Sequence, residues 1–351
     1  MIGYYDSQPC SATSDGRTGF ARESVSDLEH RVIRTNCRLQ RAADDFRGDG
    51  AAGRNLALRL LKECTDTARA LESSGWSAER IRDQLRPSRE AFAKSWFMRR
   101  CQEWPRGHPG DFETIEYLTA GGNKSLPGTL GWHIEEVLLE SPVVQQHRNK
   151  LRRQAVEIGG AIMRNRAARV LSIACGGCLD WLPVLPCLKD FAGEIVLNDS
   201  EPAALQLAAR RLGSATTRYR VLPGNVIRVA RHLADCPVYD LVVAGGLFDY
   251  VSHRAMVTLL RTIYHNLLKD GGVLLFTNIG ECNPWRPLME YGSNWTLIER
   301  SEAKIIQICG EAGIANSSVS ITREDTGLTL ITRVVRQKHQ SESCRSGSTV
   351  L

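Results

Sequence analysis

Residues 171–180 read LSIACGGCLD. The apolar run that enters this stretch, ARVLSIA (168–174), has the form of a buried strand, and it leaves through two glycines, two cysteines and an acid. Four readings compete for it: a metal site, a redox centre, a nucleotide cradle, or a tight turn that holds nothing. The sequence that follows separates them. EIVLND (194–199), RYRVLPG (218–224), YDLVVAGG (239–246) and GGVLLFTN (271–278) are further short apolar runs, spaced by helical segments such as EPAALQLAARRL and HRAMVTLLRTIYHNLL. Continuous apolar strands alternating with helices predict a mostly parallel sheet covered on both faces. SSVSITRED (317–325) and GLTLITRVVR (327–336), separated by little more than an acidic turn, predict an antiparallel hairpin on one edge.

Ligands on such a sheet bind beyond the C-terminal ends of the strands, where the strand order reverses. Ala174, Cys175, Gly176 and Gly177 leave the first strand there, and glycines allow both a sharp turn and close approach of a ligand to the backbone. Cys175 and Cys178 have the spacing of half a zinc site, but no second pair at matching spacing accompanies them. A redox pair is disfavoured because the glycine-rich strand end does not place it at a helix start. The discriminating residue lies about 20 residues on, at the tip of the second strand, where Asp199 is placed to bind the hydroxyls of a ribose. Neither GxGxxG nor GxxxxGK[ST] is present, so the loop suits an adenosine without a pyrophosphate, which points to S-adenosylmethionine. A glycine turn without a ligand remains the bland alternative.

The first half of the chain has a different texture. Segments 25–46, 51–75, 77–104 and 141–166 carry apolar residues at three- and four-residue steps and predict helices, with Pro87 breaking the third and Pro142 tolerated in the first turn of the last. PRGHPGDFETIEYLTAGGNKSLPG (105–128) holds three prolines and five glycines, and is expected to be a shaped loop with one helical turn at most. The expected organisation is a flexible N-terminus (1–20), a helical lid or substrate region (21–165), a Rossmann-like domain (166–336) and a flexible tail (337–351). A net charge of +6 on 351 residues, with the basic residues dispersed, does not form a nucleic-acid track. No stretch approaches 18 apolar residues and nothing at the start reads as an export signal, so membrane insertion is not expected and a cytoplasmic location is. The 11 cysteines, odd in number and without a regular framework, are expected as free thiols.

The motifs together resemble the class I S-adenosylmethionine-dependent methyltransferase fold over roughly 167–336. That resemblance implies a methionine-binding loop at Ala174, Cys175, Gly176 and Gly177, a ribose-binding acid at Asp199 with Ser200 beside it, and an adenine-flanking loop at PGNV (223–226), where Asn225 and Val226 lie. It further implies an active-site exit at Gly245 and the following GLFDYV. A CGGC loop stands where the family usually has GxGxG. RGHPGDFETIEYL, ARVLSIACG, GLFDYV and NPWRPLMEY resemble a bacterial branch of that fold with a helical N-terminal region. The branch includes enzymes forming 3-hydroxypalmitate methyl esters and resembles the azetidine-2-carboxylate synthases, in which the cofactor's own amine attacks its gamma carbon and methylthioadenosine leaves.

The expected function is therefore small-molecule methyl transfer in secondary or signal metabolism, with cyclisation of S-adenosylmethionine as the alternative, no metal, and a monomer or homodimer. Phe248, Asp249 and Tyr250 are expected at the mouth beyond the fourth strand. For Asp249 a helix N-cap is the competing account. Asn278 ends the fifth strand; Asn283, Arg286, Met289 and Tyr291 are candidates for a further wall, while Trp285 and Trp295 read as structural. His108 and Tyr117 come from the irregular loop, His108 competing with a plain surface histidine. Tyr117 and Tyr250 are expected to present ring faces to the sulfonium. Arg148 is a candidate partner for the cofactor carboxylate, with simple solvent exposure as its alternative.

Overall fold

The computed structural model describes residues 23–233 and 238–337, so the expected flexible ends lie outside the described residues apart from 337. The chain divides into two compact units. The first takes the chain up to Arg152 together with Asn278–Ser301 and Arg323–Leu330; the second takes Arg153–Thr277, Glu302–Thr322 and the chain from Ile331 on.

Helices α1 (Val25–Asp45), α2 (Ala51–Ser73), α3 (Ala78–Gln84), α4 (Arg86–Phe92), α5 (Trp96–Glu103), α6 (Phe112–Ala120) and α7 (Leu130–Leu139) build the first unit. Their boundaries follow local chemistry. Ser24 and Asp27 form a reciprocal capping box that satisfies orphan donors at the start of α1. Pro87 falls in the first turn of α4, where its missing N–H costs nothing. Leu28, Val32 and Leu39 of α1 meet Leu60, Leu61 and Leu71 of α2 in one apolar core, the residues recurring at helical steps. Trp285, Leu288, Met289, Tyr291 and Trp295, far away in sequence, complete that core.

The segment 105–128 corrects the expectation of a loop with one turn. It contains α6, whose N-cap Asp111 accepts from Thr114 N at 3.0 Å and which stops at Gly121 in the left-handed region (φ 74°). The prolines and glycines stand at the ends of this helix and punctuate it without interrupting it.

Helix α8 (Pro142–Arg164) leads from the first unit into the second, which holds β1 (Arg169–Ile173), β2 (Glu194–Asp199), α9 (Pro202–Gly213), β3 (Tyr219–Pro223), α10 (Val226–His232), β4 (Tyr239–Ala244) and α11 (His253–Thr262). Next come β5 (Leu268–Ile279), α12 (Glu302–Glu311), β6 (Val319–Arg323) and β7 (Thr329–Val335). The seven strands run in the order β3-β2-β1-β4-β5-β7-β6. β1 pairs in parallel with β2 and β4, β2 with β3, and β4 with β5. β6 and β7 are the antiparallel hairpin, closed where Glu324 N donates to Thr329 O at 3.1 Å. This is a mostly parallel, Rossmann-like sheet. Its order reverses between β1 and β4, so the loops leaving those two strands frame the crevice.

The most demanding polar feature of the first unit is Glu135, fully buried on α7. Its carboxylate accepts from Ser95 Oγ (3.0 Å), Phe97 N (3.0 Å), Lys124 N (2.7 Å), Ser125 Oγ and Tyr117 Oη. Burial alone pushes this carboxyl up, but the hydrogen bonds from Ser125, Tyr117, Lys124 and Phe97 outweigh it and hold Glu135 below the usual glutamate range. A pKa lowered in the folded state contributes stability that is present above the unfolded value and lost as pH falls through the folded one. Glu135→Gln sets an NH2 donor against donors and should destabilise the protein by about 3 kcal/mol at pH 7. Its penalty relative to wild type should shrink as pH drops below the range in which an unfolded glutamate ionises. Urea midpoints of both proteins at pH 7 and pH 4 test this; equal midpoints at pH 7 would remove Glu135 from this role.

Candidate active site

The loop after β1 is built under backbone strain. Ala174, Gly176 and Cys178 alternate at φ 48°, 53° and 58°, and two of the three are not glycine. Side chains rarely occupy this region, and such strain persists only where surrounding contacts over-determine it. Those contacts are present. Cys175 N donates to Asn198 O (3.1 Å), Cys178 N to Cys175 O (3.0 Å), and Arg211 Nη1 donates to Gly177 O (2.6 Å). Trp181, fully buried just beyond, donates from Nε1 to Ser172 Oγ on β1 (3.0 Å).

Asp199 locks the arrangement from β2. Its Oδ2 accepts from Gly176 N at 2.8 Å and its Oδ1 from Glu201 N at 2.9 Å, while its carbonyl accepts from Gly224 N at 2.9 Å. One residue therefore joins the loops after β1, β2 and β3. Asn198 supports the same corner, donating from Nδ2 to Leu222 O (2.8 Å) and Gly224 O (2.9 Å). Ser200 is the exposed residue that follows Asp199. Asn225 is exposed and caps α10, its Oδ1 accepting from Ile227 N (3.0 Å); Val226, half-buried, begins that helix.

Gly245 leaves β4 on the other side of the crevice. A Cβ there would stand 2.2 Å from Gln154 Nε2, so only glycine fits while Gln154 keeps its place. Gln154, buried on α8, was not singled out in the sequence: a glutamine inside an amphipathic helix carries no motif, and only the packing shows its amide against the β4 exit.

The mouth beyond β4 corrects part of the expectation. Phe248 is fully buried and packs edge-to-face on Phe276 (5.0 Å, 66°), and Asp249 is buried as well, so Tyr250 alone of the three stands exposed there. The short 3-10 turn Leu247–Asp249 swings Phe248 inward, because a large ring gains more from the core than from the rim. Asp249 is not the cap of α11. That role belongs to Ser252, which accepts from Ala255 N.

Other candidates lie in the first unit. Tyr117 is buried against Trp96 (4.6 Å between rings) and Phe97 (5.9 Å), and burial together with its bond to Glu135 raises its hydroxyl above the ordinary tyrosine range. Asn278 is fully buried: Nδ2 donates to Ile279 O (3.0 Å) and Ile298 O (2.9 Å), and Oδ1 accepts from Arg300 Nη1 (2.5 Å). Arg148, the candidate partner for the cofactor carboxylate with simple exposure as its alternative, is neither freely exposed nor idle: it clasps helix ends, donating to Leu118 O (2.8 and 3.1 Å) and Leu139 O (3.1 Å). His108 is exposed, with Nδ1 3.3 Å from Pro109 O. Arg286, Glu72 and Tyr291 form an ion and hydroxyl cluster, Arg286 reaching both Glu72 oxygens at 2.8 and 2.6 Å.

Among the described residues, no three His, Cys, Asp or Glu side chains gather as a metal-ligand set, and the described cysteines are free. Burial, reinforced by the neighbouring Cys175, raises the Cys178 thiol well above its usual value, which suppresses the reactive thiolate. No described helix is long and apolar enough to cross a membrane.

No protein-family model matches this chain, and no curated protein matches it in sequence. Solved structures do. A possible exported protein from Bordetella parapertussis is 16% identical with a TM-score of 0.53, covering 90% of this chain and 98% of its own. Magnesium protoporphyrin IX methyltransferase from Synechocystis PCC 6803, with bound SAH, is 12% identical (TM-score 0.43; 56% and 88% covered). A putative O-methyltransferase from Nostoc punctiforme PCC 73102 is 14% identical (TM-score 0.43; 88% and 94% covered). At such identities a likeness concerns the fold and not the reaction, and only the first of the three exceeds a TM-score of 0.5.

Two measurements probe the strained corner. Ala174→Gly should relieve left-handed strain and raise stability by about 0.5–1 kcal/mol; a lower denaturation midpoint would mean that the alanine methyl is itself packed. Asp180, buried just past the loop, has its carboxyl pushed up by burial to about 7, only partly opposed by the backbone N–H groups of Asp180 and Trp181. A folded-state pKa raised above the unfolded value near 3.8 contributes stability that is full below that value and is lost as pH rises towards 7. Asp180→Asn, uncharged throughout, should therefore gain on wild type across that interval. Melting temperatures taken between pH 4 and 8 would show parallel curves if Asp180 were not buried in its neutral form.

Proposed function

We propose that the chain is an S-adenosylmethionine-dependent enzyme that methylates a small molecule. The observation that carries this reading is Asp199, standing at the tip of β2 and hydrogen-bonded to the strained loop that leaves β1 at the reversal of strand order. A carboxylate there suits the two hydroxyls of a ribose, and a glycine turn without pyrophosphate-binding spacing suits adenosine linked to an amino acid. The chain's residues fit the group. Gly176 and Gly177 keep the turn free of side chains, Ala174 and Cys175 open it, and Asn225 and Val226 offer an amide and an apolar surface near the adenine position. Gly245 admits the Gln154 amide against the backbone on the β4 side, which offers a polar group there.

Bound there, S-adenosylmethionine supplies an electrophilic methyl group on a sulfonium. What the protein must add is chiefly position: a nucleophile in line with the carbon–sulfur bond, and exclusion of competing water. Tyr250, the exposed ring at the β4 exit, is proposed to present its face to positive charge, an interaction of about 0.5–2 kcal/mol. Asp199 and Gln154 bind and orient. Neither is asked to move a proton.

Asp199→Ala should weaken S-adenosylmethionine binding by roughly 1.5–3 kcal/mol, measured by calorimetry on protein whose circular dichroism matches wild type. Unchanged affinity would sink the assignment. Mass analysis after incubation with S-adenosylmethionine then distinguishes the reactions. S-adenosylhomocysteine that accumulates only with an acceptor supports methyl transfer. Methylthioadenosine with a four-membered-ring amino acid, formed from the cofactor alone, would replace that reading with the cyclase.

A further inference from the structure

The first unit encloses an apolar cavity that the cofactor reading leaves unused. Its enclosed part measures ≈ 30 Å³, within a recess of ≈ 400 Å³ counted out to its mouth. Rings dominate the wall: Phe97, Trp285 and Trp295, with the thioethers of Met98 and Met289 between them. On α8, His147 turns its imidazole into this lining and lies obliquely against Trp295 (5.9 Å between ring centres, 32°). It is the ionisable side chain among the described residues that line the cavity.

We infer that this cavity is a binding site for a single aromatic ring carrying a hydroxyl group, with the ring among Phe97, Trp285 and Trp295 and the hydroxyl bonded to His147. Three physical arguments select that class. Aromatic walls favour offset or edge-on contact with another ring, and methionine sulfur adds favourable contacts with ring edges. The enclosed volume is small, but flexible methionines can yield to a planar guest where branched side chains would not. The third argument is electrostatic. Burial, then the positive charges of Lys150 and Arg148, hold the imidazole well below the usual histidine range, so it is neutral at pH 7. A neutral imidazole offers one acceptor and one donor, which suits a hydroxyl. A cationic ligand would be desolvated there beside the like charges of Lys150 and Arg148, and a purely alkyl one would leave the imidazole without a ligand partner. Ser293, also on the wall, already donates from Oγ to Met289 O at 2.7 Å.

The experiment uses the full chain without cofactor, so its outcome is separate from that of the cofactor assignment. p-Cresol and toluene are titrated while tryptophan fluorescence, which Trp285 and Trp295 contribute to, is recorded. Wild type should bind p-cresol about tenfold more tightly than toluene, and His147→Phe should abolish that preference while still binding toluene. His147→Gln, which retains an acceptor and a donor, should keep most of the preference and serves if the phenylalanine variant does not fold. Ser293→Leu, filling the cavity from its wall, should weaken both ligands at least tenfold. No saturable response in wild type, equal affinities for the two probes, a preference that survives in a folded His147→Phe and is unchanged in His147→Gln, or binding untouched by Ser293→Leu would each overturn the proposal.

Discussion

The hydrogen bond from Gly176 N to the Asp199 carboxylate is the constraint on which the C-terminal end of the sheet depends. It is short, charge-assisted and placed between two adjacent parallel strands, and it holds a loop whose residues repeatedly enter a costly backbone region. The loop's shape is thus imposed from the next strand. Asp199 also fixes Glu201 N at the start of α9 and, through its carbonyl, Gly224 N after β3. This one carboxylate is the keystone of the crevice. Pre-organisation of this kind lowers the ordering cost of binding, because the backbone is already in its turn before a ligand arrives.

The first unit uses the same principle for another purpose. Glu135, on α7, gathers donors from α5 and its N-cap, from α6 and from the segment between α6 and α7, so a single carboxylate closes a corner that apolar side chains could not satisfy. The pair of Glu72 and Arg286 does the equivalent for residues brought in from late in the chain. The Glu72–Arg286 pair is only partly buried, so its loss costs less than that of Glu135, whose donors would be left unpaired in the core. These bonds tie together a helical unit assembled from three separated pieces of chain.

How far the sequence could be read depended on the range of the interactions involved. All seven strands were legible, and so was the hairpin; for β1, β2, β4, β5 and β7 burial on both faces writes itself into consecutive apolar residues, whereas the edge strands β3 and β6 have no buried residue and were read from their place between turns and helices. Asp199 was legible as a strand-tip acid at a fixed distance from the glycines. Phe248 was misread. Its position beyond β4 suggests the rim, but the 3-10 turn after Gly246 sends the ring into the core. The helix α6 was underestimated because prolines and glycines were counted across 105–128, whereas their placement at its two ends was what mattered. Gln154, Glu135 and His147 had no signal at all. Each is one polar residue in a helix, and its partners lie at a distance or in a cavity that no local pattern encodes.

The sequence by itself determined the class of the fold, the strands, and the place of the acid at the tip of β2, since periodicity and glycine placement are local properties of the chain. Tertiary structure alone decided which polar side chains are spent on holding the framework. Tyr117, Asn278 and Arg148 look alike in sequence to residues that would meet a ligand; folding commits the first to Glu135, the second to Arg300 and two carbonyls, and the third to the ends of two helices. The physical reason is that a buried polar group must be paired, and its partner is chosen by packing across the whole unit, not by its neighbours along the chain.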